Sequence, residues 1–116
     1  MIVKLKDIPK TDKENVWGGT GRLSSQMAVT PETRITGSHF KAAGRVALDA
    51  GTRIGLHKHS GDEELYVILS GEGLYSEDEK QEAVTAGDML FLADGHSHGL
   101  QNTGKEPLVF IGIVAD

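Results

Sequence analysis

The chain has 116 residues, with 12 Lys and Arg against 17 Asp and Glu, which gives a formal net charge of −5. This length fits one domain, and the acidic balance provides no basic face for a phosphate backbone, so we expect no nucleic-acid partner. The absence of cysteine excludes disulfide bonds and thiolate metal ligands and fits a reducing, cytoplasmic environment.

The chain begins with rapid alternation between apolar and polar residues, which predicts no signal peptide. Residues 1–35 have weak periodicity, and we expect them to form an N-terminal arm or edge strand beside a single domain at 36–116. Thr11 to Val16 is predicted as a turn of helix. The glycine-rich segment Trp17 to Gly21 has no strand–helix context for phosphate binding. We expect it to make a bend that brings Trp17 onto the domain or onto a neighbouring subunit.

From residue 40 onward, short strand-like runs alternate with glycine-containing turns. The chain has 15 glycines and only 3 prolines, which favours tight turns over a linker. Strand spacing of about 8–12 residues predicts an all-β sandwich or barrel. The predicted strands are Phe40 to Leu48, Arg53 to His59, Glu64 to Leu69, Gln81 to Thr85, Met89 to Leu92, Gly99 to Gln101 and Leu108 to Val114. The acidic run Glu77 to Glu79 is predicted to be a solvated hairpin tip. The longest apolar run, Leu65 to Leu69, is too short to cross a membrane, so no membrane partner is expected.

Four of the five histidines fall in two clusters, His57/His59 and His96/His98. Side chains two residues apart on a strand share a face and lie about 6.6 Å apart along it. Glu64, beyond a short turn, can face the same interior from the next strand. One histidine of the second cluster would complete three imidazoles and a carboxylate, which suits Mn, Fe, Ni, Co, Cu or Zn. The alternative is an ordinary surface His-x-His pair, which is more common than a ligand pair.

The spacing of these residues resembles the two sequence motifs of the cupin superfamily. The positions that correspond to the first motif are Gly51, His57, His59, Glu64 and Gly71. Those that correspond to the second are Gly87, Ala93, Gly95, His98 and Asn102. Only Ala93 departs from the pattern, because the family prefers proline there, and that position shapes a turn rather than binding a ligand. The 15 residues between the motifs, 72–86, are similar in number to those of compact bacterial members.

This resemblance implies an all-β, double-stranded β-helix (jelly-roll) barrel. It also implies one divalent transition metal in the barrel mouth, held by His57, His59, Glu64 and His98. Glu63 is the competing carboxylate, but only Glu64 satisfies the six-residue gap to Gly71. Parity agrees, because Glu64, Tyr66 and Ile68 then share the inward face of one strand, with Val67 and Leu69 on the outward face. The resemblance and the irregular arm together predict a homodimer.

The remaining candidate site residues each have a functional and a structural interpretation. His96 shares parity with His98 and is a candidate acid or base near the metal; the alternative is a histidine on the rim. Tyr66 is a candidate proton or hydrogen-bond donor to a substrate, or else part of the packed wall. We expect Asn102 to form a turn and His39 to be structural.

Two functions are compatible with these residues. The first is a metal-dependent enzyme acting on a small oxygenated substrate (a carboxylate, enediol or sugar acid) by oxygenase, decarboxylase, isomerase or lyase chemistry, with Tyr66 and His96 as proton carriers. The alternative is a barrel that binds a metal and a small, sugar-like ligand without turnover. A purely structural ion is less favoured, because four protein ligands leave open positions on an octahedral metal. Fold does not choose among these reactions.

Overall fold

Ten β-strands and three single 3₁₀ turns make up the computed structural model, which describes residues 1–116. The strands are β1 (Thr11–Glu14), β2 (Arg22–Val29), β3 (Phe40–Leu48), β4 (Arg53–Lys58), β5 (Glu63–Ser70), β6 (Glu72–Glu77), β7 (Lys80–Thr85), β8 (Met89–Leu92), β9 (Ser97–Asn102) and β10 (Leu108–Ala115). The 3₁₀ turns are Leu5–Asp7, Val16–Gly18 and Pro31–Thr33. All seven predicted strands are present, with ends that differ by at most two residues. None of the helical segments is long and apolar enough to cross a membrane.

The strands form two antiparallel sheets that enclose one core. The six-stranded sheet has the order β1-β2-β3-β10-β5-β8, and the four-stranded sheet has the order β4-β9-β6-β7. Because neighbours in each sheet are mostly non-consecutive in the chain, the strands wind back and forth between the sheets. This arrangement confirms the predicted all-β class and the double-stranded β-helix.

The core lies between the inward faces of the two sheets. It contains eleven buried side chains: Val46, Leu48, Ile54, Tyr66, Ile68, Tyr75, Val84, Leu90, Leu100, Leu108 and Phe110. Burying each large aliphatic side chain is worth about 1.5–3 kcal/mol, so this cluster supplies much of the free energy of folding. The predicted parity of β5 is confirmed, since Tyr66 and Ile68 are buried while Leu69 is 48% exposed.

The predicted helical turn over Thr11 to Val16 is wrong. Residues Thr11–Glu14 form β1, which pairs antiparallel with β2, and the tight turn comes later, at Val16–Gly18. All four residues of β1 are exposed, so the segment has no apolar stripe that could stabilise a helix on the barrel. Its backbone instead adds a strand to the edge that β2 offers. β2 and β6, which the sequence did not predict, are likewise defined by their pairing.

Asn102 at the end of β9 is the turn-forming residue that the sequence predicts, and it is also buried. Its side-chain amide donates to the carbonyl oxygens of Leu48 at 3.0 Å and Glu106 at 2.9 Å. Its side-chain oxygen accepts from the Gly104 N–H at 2.9 Å. The side chain thus ties the β9–β10 turn to the end of β3, which belongs to the other sheet.

Asn102→Ala should lower the free energy of unfolding by about 2–3 kcal/mol, because it leaves buried backbone groups without partners. Asn102→Asp should also destabilise the fold, since it keeps the shape and the acceptor but loses both N–H donors. Thr103→Ala, at an exposed neighbouring position, is the control and should change stability by less than about 0.5 kcal/mol. Urea unfolding monitored by circular dichroism measures all three. Wild-type stability in Asn102→Ala would contradict the assignment.

Candidate metal centre

The two sheets meet at one open end of the barrel, and each contributes donors to a single cluster. His57 on β4 lies directly opposite His98 on β9 in the four-stranded sheet. Glu64 approaches from β5 in the six-stranded sheet. His59 lies just beyond the end of β4, where its backbone N–H donates to the His96 carbonyl oxygen at 2.9 Å. The potential ligand atoms of His57, His59, Glu64 and His98 all lie within 4.8 Å of one another.

The contacts within this cluster fit metal ligands, because their distances suit a shared ion while their geometry does not make hydrogen bonds. Oε1 of Glu64 lies 2.8 Å from Nε2 of His98 and 3.1 Å from Nε2 of His59. Both nitrogens are buried, yet neither has a hydrogen-bond partner of acceptable geometry. Two ligands bound at about 2.1 Å to one ion and at right angles lie about 3 Å apart, which matches these distances. Two unpartnered nitrogens that face one carboxylate oxygen therefore fit a divalent cation.

Hydrogen bonds on the outer side of each ring orient the three imidazoles. The Nδ1 atoms of His57 and His59 lie 2.8 Å from the Gly55 carbonyl oxygen and from Oδ1 of Asp62, respectively. Nδ1 of His98 lies 2.9 Å from the Tyr75 hydroxyl oxygen. Because the carbonyl and the carboxylate can only accept, Nδ1 of both His57 and His59 carries the proton. Their Nε2 lone pairs are then free for a cation, as is usual for histidine metal ligands.

The electrostatics of the cluster favour a neutral imidazole at His57. Burial lowers the pKa of His57, and the neighbouring imidazoles of His98 and His59 lower it further. Asp62 stays ionised because hydrogen bonds from Lys41 and His59 outweigh the burial that by itself raises its pKa, and the net shift is downward. Lys41 Nζ donates to Asp62 at 2.8 Å. Neutral histidines and an ionised carboxylate are the forms that bind divalent metals.

A cavity of about 260 Å³ opens over these donors. His57, His59 and Glu64 line it, together with Tyr66 and Trp17, but no lysine or arginine does. Ten of its fourteen lining residues are hydrophobic, among them Leu23, Met27, Val46, Ile54 and Phe110. The cavity thus combines a polar floor, formed by His57, His59 and Glu64, with an apolar wall, formed by the ten hydrophobic residues.

The two candidate proton carriers occupy different environments. Tyr66 is buried and its ring stacks on His98, with centroids 5.0 Å apart, so it lies beside the donors. Burial and the nearby Glu64 raise its pKa well above the ordinary value, and its hydroxyl stays protonated. His96 lies on the rim, with 53% of its side chain exposed, and Nδ1 of His96 is 2.7 Å from Oδ2 of Asp78. This hydrogen bond raises the pKa of His96, and His96 does not line the cavity.

Three neighbours of the donors were missed or incompletely described by sequence reasoning. Tyr75 and Asp62 orient His98 and His59, and neither belongs to a motif. The sequence indicates both residues only weakly. Asp62 lies in the turn between His59 and Glu64, and Tyr75 faces inward from β6, a strand that the sequence did not predict. Trp17 was expected to lie either on the domain or on a neighbouring subunit. It lies on the barrel, where it stacks on His57. His39 is outside the cluster.

This double-stranded β-helix has three histidines and one glutamate at its mouth that could hold a metal ion, and the comparison with known families identifies its class. The chain belongs to the cupin family: the family's cupin-domain model matches residues 44–114. The matched region contains all four clustered donors and both motifs.

Individual relatives are similar over almost the whole chain. An oxalate-binding protein of Thermotoga maritima is 34% identical over 114 residues, which cover 98% of this chain and 93% of the relative. A crystal structure of a predicted oxalate decarboxylase, also from Thermotoga maritima, superposes with a TM-score of 0.91 at 32% identity and covers 99% of this chain and 98% of its own. The structure of KdgF from Halomonas sp. has a TM-score of 0.77 at 15% identity, covers 100% of this chain and 94% of its own, and shows the shared fold alone.

Replacing a donor should abolish metal binding. We expect the wild type to take up one equivalent of Mn²⁺ or Zn²⁺ in calorimetric titration, and His57→Ala and His98→Ala each to lose it, because each substitution removes one of the four clustered donors. His39→Ala and His96→Ala remove histidines that lie outside the donor cluster and should retain full stoichiometry. Full binding in both donor variants would show that the ligands were wrongly assigned.

Tyr75→Phe should weaken the site without removing a ligand. Loss of the hydroxyl frees the His98 ring to rotate, and the affinity for Zn²⁺ should fall about 10-fold, at the low end of effects from residues that orient ligands. His96→Ala is the comparison, because His96 lies outside the donor cluster, and it should leave the affinity unchanged. Competition with a chromophoric chelator measures both constants. An affinity of Tyr75→Phe equal to that of the wild type would argue against the orienting role of Tyr75.

Proposed function

We propose that this protein binds one divalent metal ion and, with it, a small ligand whose oxygen atoms include at least one carboxylate, with oxalate as the first candidate. His57, His59, Glu64 and His98 would hold the ion. When bound, it supplies the positive charge and open coordination positions that carboxylate oxygens require.

The observation that carries this proposal is the pairing of a four-donor cluster with a cavity that has no cationic side chain. An anionic ligand that enters an apolar wall loses hydration and needs a compensating charge. Since no lysine or arginine lines the cavity, the compensating charge must come from an ion at the donors. The cavity volume of about 260 Å³ suits a small molecule rather than a polymer.

Two descriptions of similar sequences and structures support the choice of oxalate. One that is 34% identical to this chain over nearly its full length is named an oxalate-binding protein. A crystal structure that is 32% identical in sequence to this chain and superposes over 99% of it is described as a predicted oxalate decarboxylase. Both descriptions name one planar dicarboxylate, which could present two oxygens to an ion while lying against the flat walls of the cavity.

Binding without turnover is the better supported form of this function. Apart from the donors, Tyr66 is the ionisable side chain that lines the cavity, and its raised pKa keeps it a neutral hydrogen-bond donor rather than a base. His96, the other candidate proton carrier, is engaged with Asp78 on the rim. Enzymatic decarboxylation is the second candidate, and the description of the structural relative is the observation that favours it.

The test begins with elemental analysis of untagged protein that has not been exposed to a nickel column, followed by calorimetric titration of oxalate. We expect one equivalent of oxalate to bind the metal-loaded wild type. Metal-free protein and the His98→Ala variant should bind none, because the compensating charge is missing. Acetate, with a single carboxylate, should bind at least 10-fold more weakly than oxalate. Equal oxalate binding with and without metal would overturn the proposal.

The same samples separate binding from turnover. Metal-loaded protein incubated with oxalate under air is assayed for formate and carbon dioxide. Unchanged oxalate supports the binding function, and formate produced in proportion to protein supports the decarboxylase. If formate is produced, Tyr66→Phe and His96→Ala would show which of the two residues moves a proton. Only substitution of the residue involved should lower the rate of formate production.

A further inference from the structure

Trp17 lies outside both motifs and outside the matched cupin region, yet it contacts a donor of the metal cluster. Its ring is nearly parallel to the imidazole of His57, with centroids 4.8 Å apart and an angle of 9° between the planes. The residue is 65% exposed, so one indole face rests on His57 while much of the rest is open to solvent. It also lines the cavity.

The backbone brings Trp17 to this place by an unusually close approach to β4. A Cβ atom on Gly55 would lie 1.9 Å from the Trp17 carbonyl oxygen, and one on Gly19 would lie 1.8 Å from the Arg53 carbonyl oxygen. Only glycine fits at either position. Thr20 and Arg53 then exchange two backbone hydrogen bonds, of 3.0 and 2.9 Å, which fix the segment along the strand.

Trp17 also adopts a backbone conformation that a bulky residue disfavours. Its φ is +53°, and that of Asn15 is +54°. Bulky side chains seldom occupy this left-handed region, and such strain is retained where the surrounding structure enforces it, frequently at functional sites. Here the enforcing elements are the hydrogen bonds to β4 and the stack on His57.

We propose that Trp17 is a positioning residue for His57 and a wall that decides which ligands the cavity admits. Two of the contacts that hold the His57 ring are the hydrogen bond from Nδ1–H to the Gly55 carbonyl oxygen and the stack on the indole face. The hydrogen bond fixes the direction of Nε2, and the stack fixes the plane of the ring. The role rests on the proposed metal and carboxylate binding, and it adds a determinant from the N-terminal arm.

Trp17 is the only tryptophan of the chain, so its emission reports on the site directly. Titration of the wild type with Zn²⁺, which has a filled d shell and does not quench by paramagnetism, should change the Trp17 emission and saturate at one equivalent. The His98→Ala variant keeps the stack on His57 but should show no change, because it binds no metal. An emission that stays constant while calorimetry records stoichiometric Zn²⁺ binding would overturn the proposal.

Substitution provides the second measurement. Trp17→Ala should raise the dissociation constant for Zn²⁺ about 3- to 10-fold, the range expected for one aromatic stack, and Trp17→Phe should restore most of the affinity. Phe91→Ala is the matched control, since Phe91 is also 65% exposed but does not line the cavity. It should leave the constant unchanged. Equal affinities of wild type and Trp17→Ala would overturn the positioning role.

Ligand selection is read separately from metal affinity. At saturating Zn²⁺, Trp17→Ala should bind oxalate more weakly and should lose part of the discrimination against a bulkier dicarboxylate such as phenylmalonate. An unchanged ratio of the two affinities would overturn the wall role. These results are distinct from a failure of the proposed function, in which the wild type itself would bind neither metal nor oxalate.

Discussion

One carboxylate joins the donors that the two sheets bring to the barrel mouth. Glu64 belongs to the six-stranded sheet, while His57 and His98 belong to the four-stranded one, so the cluster exists only while both sheets keep their register. A slip of one residue in β5 would turn Glu64 to the solvent and would expose Tyr66 and Ile68 with it. The hydrophobic core and the donor cluster therefore depend on the same alternation of inward and outward side chains along β5. A change of register that misplaces the donor also exposes the core residues.

Much of this could be predicted from the sequence, because strand parity and motif spacing are local properties. They select Glu64 rather than Glu63 as a donor, place Tyr66 and Ile68 on the inward face of the strand and group the four donors. The segments that escaped prediction obey other rules. β1 and β2 contain many polar residues, and pairing with neighbouring strands determines their conformation. In β6, glycine and acidic residues obscure the strand pattern to which the buried Tyr75 belongs. The roles of Tyr75, Asp62 and Trp17 come from contacts across 3 to 40 residues of chain, which no local pattern encodes.

The chemistry of the site divides between its floor and its wall. The floor supplies lone pairs that attract a cation, and each imidazole is held there by a different kind of hydrogen-bond partner: a backbone carbonyl, a carboxylate and a phenol. The wall supplies size and shape, through aliphatic and aromatic side chains that offer a ligand no charge. Under the proposed function, affinity for an anion and selection by shape therefore have separate structural sources in this barrel.

The position of Trp17 has a consequence for how barrels of this kind can diversify. The residue lies before the region 44–114 that carries the family's motifs, and it reaches the cavity only because Gly19 and Gly55 allow two backbones to come into contact. An exchange of sequence around Trp17 can reshape the entrance of the cavity while all four donors stay in place. Selection can thus act on what enters the site through a segment that takes no part in coordination, and two proteins with the same donors need not accept the same molecule.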